Sequence, residues 1–189
     1  PMVSAQLVSG SSYSSQTSAS LAQYAYLYKY DMRNRCIGTK LPGCSWEYKV
    51  YDLADRLIFS QTGEQRKRGE WQFALPDAMG RECIMGICKN AIDPFNNPIL
   101  NTCVKCERTD NASLLGYSVT GVALNSVTVL TAKYYDDYLF KMQNGTLISN
   151  SSLNYEANSE FGERSTTISQ GLQSGNATAR LDKNGSVTG

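Results

Sequence analysis

Tyr30-Asp31-Met32-Arg33-Asn34-Arg35, Tyr51-Asp52-Leu53-Ala54-Asp55-Arg56 and Pro76-Asp77-Ala78-Met79-Gly80-Arg81 are three forms of one phrase. Each is an Asp, two free positions, one of Asn, Asp or Gly, and an Arg. Before each phrase, aromatic and apolar residues fall on alternate positions: Tyr24, Tyr26, Tyr28 and Tyr30; Trp46, Tyr48 and Val50; Trp71, Phe73 and Leu75. Such residues at period two share one face of an extended chain, which is the signature of a strand. After each phrase comes a short apolar run: Cys36-Ile37-Gly38, Leu57-Ile58-Phe59 and Cys83-Ile84-Met85. Between strand and strand, Asp is a good first turn residue because its carboxylate accepts hydrogen bonds from backbone N–H groups a few positions on. Asn34, Asp55 and Gly80 are the residue types that best tolerate a left-handed backbone. A type I turn followed by a left-handed residue is a common short hairpin connection. Each phrase therefore predicts a β-hairpin tip, with Asp and Arg able to pair across it. Chance recurrence of Asp and Gly in loops is the competing explanation, and three copies flanked by aromatic alternation weigh against it.

These residues resemble the YD repeats of Rhs proteins, whose consensus is Tyr-Asp, two variable residues, Gly, Asn or Asp, and then Arg-Leu. The second copy fits best, through Tyr51-Asp52, Asp55 and Arg56-Leu57. The first has Cys36 where Leu is usual; the third has Pro76 for the Tyr and Glu82 for the Leu. The longer stretch from Leu41-Pro42-Gly43 through Gln61 and Arg68-Gly69 to Gly80-Arg81 is similar to large Rhs-like surface proteins of gut Bacteroidetes. The resemblance implies long strands wound into a spiral sheet and an extracellular or cell-surface location. It implies the remainder of a larger chain as partner and, in some members, an encapsulated toxic C-terminal domain. The self-cleaving segment that ends many such shells is not recognisable here. Asp93-Pro94 alone does not supply it, so autoproteolysis does not carry over.

Composition bounds the rest. A chain of 189 residues makes one ordinary domain or two small ones. With 41% hydrophobic residues and 12 tyrosines, a sheet with amphipathic faces is favoured over a thick aliphatic core. Lys+Arg 18 against Asp+Glu 17 gives a net charge of +1, which points to neither nucleic acid nor a membrane surface. Histidine is absent, which removes Ser-His and Cys-His nucleophile pairs, histidine metal ligands and the usual general base. The expectation is therefore no enzyme and no cofactor. No apolar run approaches the length of a membrane span. No signal peptide is visible, and Pro1 and Gly189 suggest a piece of a larger protein.

Taken in order, residues 1–20 form a Ser-rich polar linker, with an edge strand over Ala5–Val8 as the lesser alternative. Residues 21–110 hold the repeat hairpins and an irregular end rich in Cys and Pro, from Asn90 to Asp110. Residues 111–189 are expected to continue the sheet. Leu41-Pro42-Gly43 predicts a turn. Thr62 to Gly69 predicts a loop whose Arg66-Lys67-Arg68 is solvated, since no aromatic is interleaved for an anionic polymer. Strand signal returns from Leu114, and Ser126–Tyr135 is rich in Val, Thr and Tyr. Lys133 to Tyr138 echoes the Tyr-Asp phrase without its Arg, as a degenerate copy or an imitation. Asn144-Gly145 between Tyr138–Gln143 and Thr146–Ser149 predicts a two-residue hairpin, and Asn184-Gly185 another between Ala177–Leu181 and Ser186–Thr188. No stretch shows a helical period with caps; the best candidate is a short turn near Ser18–Gln23. The expected fold class is all-β: consecutive antiparallel hairpins forming a curved repeat sheet or partial shell.

Among candidate sites, Tyr24, Tyr26, Tyr28 and Tyr30 stand out, as a row of aromatic faces able to stack on sugar rings. A covered sheet face is the plainer alternative. Asp31, Arg35, Asp52, Arg56, Asp77 and Arg81 are expected as structural turn residues. Cys83 and Cys88 with Cys103 and Cys106 have spacing that resembles a four-thiolate zinc site. Disulfides between those two pairs, or free thiols buried as small apolar groups, are the alternatives. Asp136 and Asp137 are adjacent and make a poor acid/base pair for glycoside hydrolysis. Sequons at Asn111, Asn144, Asn150, Asn176 and Asn184 follow from composition. The expected function is a non-catalytic structural repeat module that builds a wall or scaffold. The alternative is a carbohydrate-binding module using the tyrosine face.

Overall fold

The computed structural model describes residues 23–94, 101–109, 113–136, 142–143, 146–147, 171–183 and 186–188. The expected linker over 1–20 lies outside them, as do Asp137 and the sequon asparagines other than Asn176.

The three phrases each turn one strand into the next. β1 (Leu27–Tyr30) pairs antiparallel with β2 (Cys36–Lys40), and β3 (Glu47–Tyr51) with β4 (Leu57–Gln61). β5 (Trp71–Pro76) leads through the third phrase into β6 (Glu82–Cys88). β7 (Lys105–Arg108) and β8 (Tyr117–Thr120) form a two-stranded ribbon of their own. β9 (Thr128–Tyr135) returns to pair antiparallel with β6. β10 (Met142–Gln143) pairs with β11 (Thr146–Leu147), and β12 (Gln173–Thr178) pairs antiparallel with β9. The main sheet has eight strands in the linear order β1-β2-β3-β4-β5-β6-β9-β12 and is not closed. The all-β class and the consecutive antiparallel hairpins are thus as the sequence led one to expect.

The chain divides into two units. The first takes in residues up to Gln72, Cys88–Cys103 and Leu124–Ser126; the second takes in Phe73–Ile87, Val104–Ala123 and Val127 onward. In the first, Val50, Ile58, Phe59 and Trp71 are buried, and Phe59 meets Trp71 edge-on with ring centroids 6.4 Å apart. Ile58 and Phe59 are adjacent yet both buried, so β4 is covered on both faces. In the second, Phe73, Leu75, Ile84, Ala132 and Tyr134 are buried. The β7–β8 ribbon covers part of that sheet: Tyr117 stacks on Tyr134 at 5.8 Å and 11°.

Three sequence expectations need correction. Thr62 to Gly69 is not a plain loop. It holds a short helix, α1 (Gly63–Lys67), opened by a capping box in which Thr62 and Gln65 bond each other's backbone N–H. Its basic residues are not simply solvated, because Arg66 lies 4.6 Å over the Tyr48 ring and donates to the Trp46 carbonyl. The irregular end drawn over Asn90–Asp110 contains β7. The tyrosine row is not one strand either: Gln23–Tyr24 are helical, and only Tyr28 and Tyr30 lie in β1. By contrast, Leu41-Pro42-Gly43 makes the expected turn: Cys44 N–H donates to Leu41 O at 3.1 Å, with Gly43 at φ 69°. Among the described residues no helix is long and apolar enough to cross a membrane.

Candidate functional site

The three tips share one set of bonds. Asp31, Asp52 and Asp77 N–H donate to the carbonyls of Arg35, Arg56 and Arg81 at 3.0, 3.0 and 2.8 Å. Inside each tip, Asn34, Asp55 and Gly80 N–H donate back to the Asp carbonyl, and these residues sit at φ 59°, 59° and 84°. The Asp carboxylate completes the turn. In the second tip, Oδ1 of Asp52 accepts from Ala54 and Arg56 N–H, both at 3.0 Å, while Oδ2 accepts from Arg56 Nε at 3.0 Å and Nη2 at 2.7 Å. Asp31 does the same with Arg33 and Arg35, and Asp77 with Met79 and Arg81. Burial pushes the Asp31 carboxyl upward, but the bonds from Arg35 and Arg33 outweigh it and hold the group below the ordinary aspartate value. All six turn residues singled out in the sequence sit at the tips, each Asp paired with the Arg of its own tip.

The arginine also reaches beyond its own tip. In the first unit, Arg35 lies 5.0 Å over the Tyr51 ring, and its Nη1 bonds Asp55 Oδ1 at 2.6 Å. Tyr51 hydroxyl donates to the carbonyl of Cys36, the residue after that arginine, at 3.1 Å. In the second unit, Arg81 lies 4.4 Å over the Tyr135 ring and makes a bidentate pair with Asp136 at 3.0 and 2.6 Å. Tyr135 hydroxyl donates to Glu82 O, again the residue after the arginine, at 2.9 Å. The guanidinium thus serves as a clip: one edge chelates its own turn, the other edge takes a carboxylate, and the plane rests on a tyrosine. Arg81 holds the Asp136 carboxyl below its usual range.

Beside Arg81 is a cleft of about 200 Å³, lined by Asp77, Met79, Cys83, Cys106, Arg108 and Tyr117 among others. Its chemistry is occupied. Arg81 is held by two carboxylates, and Arg108 covers both Tyr117 and Tyr134 at 5.0 and 4.8 Å. Burial pushes the Cys106 thiol up to about 12 and raises Cys83 as well, so neither is an activated nucleophile. All six cysteines are free thiols, with Cys83, Cys88 and Cys106 buried and Cys44 and Cys103 exposed. Among the described residues no cluster of Cys, Asp or Glu is placed to hold a metal ion.

The tyrosine row differs from the covered face that seemed plainest. Tyr24, Tyr26, Tyr28 and Tyr30 are between 40% and 59% exposed, with Tyr28 and Tyr30 ring centroids 6.5 Å apart. Tyr30 precedes Asp31 as Tyr51 precedes Asp52, yet among the described residues no arginine rests on it.

The residues flanking the turn expected at Asn184-Gly185 pair across it. Asp182 N–H donates to Ser186 O and Ser186 N–H to Asp182 Oδ1, both at 2.8 Å, with Leu181 bridged to Val187. This is the same Asp chemistry with Ser in the arginine position. No protein-family model, curated protein or solved structure matches this chain.

Proposed function

We propose that this chain is a non-catalytic structural module of a larger secreted or surface protein of the Rhs-like, Tyr-Asp-repeat kind, in which successive hairpins build a wall or scaffold. The observation that carries the reading is the arginine clip. Arg35 with Tyr51, and Arg81 with Tyr135, fasten one hairpin to the next by the same stacking contact and the same hydroxyl-to-carbonyl bond. Tyr30 fits this reading, since it offers at the edge strand β1 the ring and hydroxyl that Tyr51 and Tyr135 give to an arginine. A further repeat of the larger chain would supply that arginine. Limited trypsin digestion tests the reading, because Arg35, Arg56 and Arg81 are themselves cleavage sites. A scaffold keeps all three refractory. Rapid cutting after Arg35 or Arg56 in the native protein would count against it.

The exposure of all four tyrosines supports a second reading, a carbohydrate-binding surface on this edge. A glycan array run with the native chain and with a Tyr26→Ala/Tyr28→Ala variant separates the two. Binding lost in the variant favours the sugar reading, and no binding by the native chain removes it.

A further inference from the structure

We infer that Tyr135-Asp136 and Gly171-Leu172 are the two halves of a fourth hairpin tip, opened by an insertion of residues 137–170. The sequence shows only a Tyr-Asp pair with no arginine after it. The structure shows the bond that defines a tip made across the gap. Asp136 N–H donates to Leu172 O at 3.3 Å, as Asp52 N–H donates to Arg56 O. Gly171 stands just before that closing residue at φ 68°, as Asp55 stands before Arg56 at φ 59°. Tyr135 is registered against Gln173, the residue after the closing one, as Tyr30 is against Cys36 and Tyr51 against Leu57. In all three hairpins the register shifts next to that pair. Tyr135 also takes the clip of the preceding arginine, as Tyr51 does. Where the second copy has Leu53-Ala54 between Asp and the left-handed residue, the fourth has residues 137–170. Asp136 itself takes φ 67°, which none of the three turn aspartates does, and this is where the chain leaves the ordinary turn path.

The consequence is that β9 and β12 pair in the register of a hairpin across the insertion. The strands described within them, β10 and β11, pair only with each other and not with the main sheet. A hairpin tip that accepts so long an insertion while keeping its register is a graft site, where this scaffold carries sequence that its own fold does not require.

Two measurements test this on the whole chain and on a shortened one. In native-state hydrogen exchange, the Asp136 amide should be protected on the order of a hundredfold or more, in step with the amides of Asp31, Asp52 and Asp77. Exchange of Asp136 at the rate of an open amide overturns the closure. In the second, residues 137–170 are replaced by Leu-Ala, giving Asp136-Leu-Ala-Gly171-Leu172. The shortened chain should keep its strand circular dichroism and a single cooperative transition with Tm within about 5 °C of the parent. A shortened chain that does not fold overturns the dispensability, whatever the Asp136 amide reports.

Discussion

At the scale of single residues, burial ranks the three turn aspartates. Their bonds are nearly the same, but the side chains of Asp52, Asp31 and Asp77 are 0%, 3% and 14% exposed. Removing one partner of a buried charge pair leaves the other charge unmatched and costs about 3–5 kcal/mol, whereas exposed pairs contribute about 0–1 kcal/mol. All three substitutions strip two backbone N–H groups of their acceptor, so Asp52→Ala, the most buried, should be the most damaging, near the upper figure. Asp31→Ala should follow and Asp77→Ala should be mildest. Urea unfolding of the three variants at neutral pH checks the order, and equal losses would show that burial is not what ranks them. Asp52→Asn keeps an oxygen for the two backbone donors and should recover part of the loss.

At the scale of elements, local chemistry was readable and non-local pairing was not. The tips were legible because Asp, the left-handed residue and Arg all act within five positions. The helix α1 was equally local, and Thr62 and Gln65 spelled its capping box, but it is too short to show an apolar period. β7 hid because Cys106 is the one buried residue of its four, and turn formers crowd it on either side. The pairing of β9 with β12 was out of reach, since its register depends on contacts across residues 137–170 and not on any nearby signal. The role of Tyr51 and Tyr135 as rests for a neighbouring arginine appears only in three dimensions. One element carries a sharp prediction. Gly86 sits in β6 at the register shift opposite Val129, where a Cβ would meet the Thr128 carbonyl and the Phe73 ring at 2.7 Å. Phe73 is fully buried and the carbonyl is backbone, so neither can step aside freely. Gly86→Ala should destabilise by about 1–3 kcal/mol, as overpacking does, and so lower Tm in a thermal melt. A neutral result would mean that β6 and β9 are less tightly apposed than this.

At the scale of the whole molecule, the absence of histidine sets the pH response. No side chain has an ordinary pKa between about 5 and 8, so proton binding by the folded and unfolded chains changes little there. On the acid side, Asp31 and Asp136 are lowered in the folded state by their arginine partners. A lowered folded pKa gives stability that is present above the unfolded value of about 3.9 and lost as pH falls through the folded one. On the alkaline side, burial raises the thiols Cys83, Cys88 and Cys106 and the phenols Tyr117 and Tyr134. The unfolded chain then ionises first, near about 8.5 for Cys and 10 for Tyr, and folding loses ground as pH passes those values. Thermal melts from acid to alkali should trace a plateau between about pH 5 and 8, with Tm falling below about pH 4 and again above about pH 9. The acid arm belongs to the clips, so Arg81→Gln should lower the plateau and shallow that arm together, because Asp136 would no longer be held down. A step in Tm between pH 6 and 7 would contradict the scheme, since no side chain of this composition titrates there at its ordinary value.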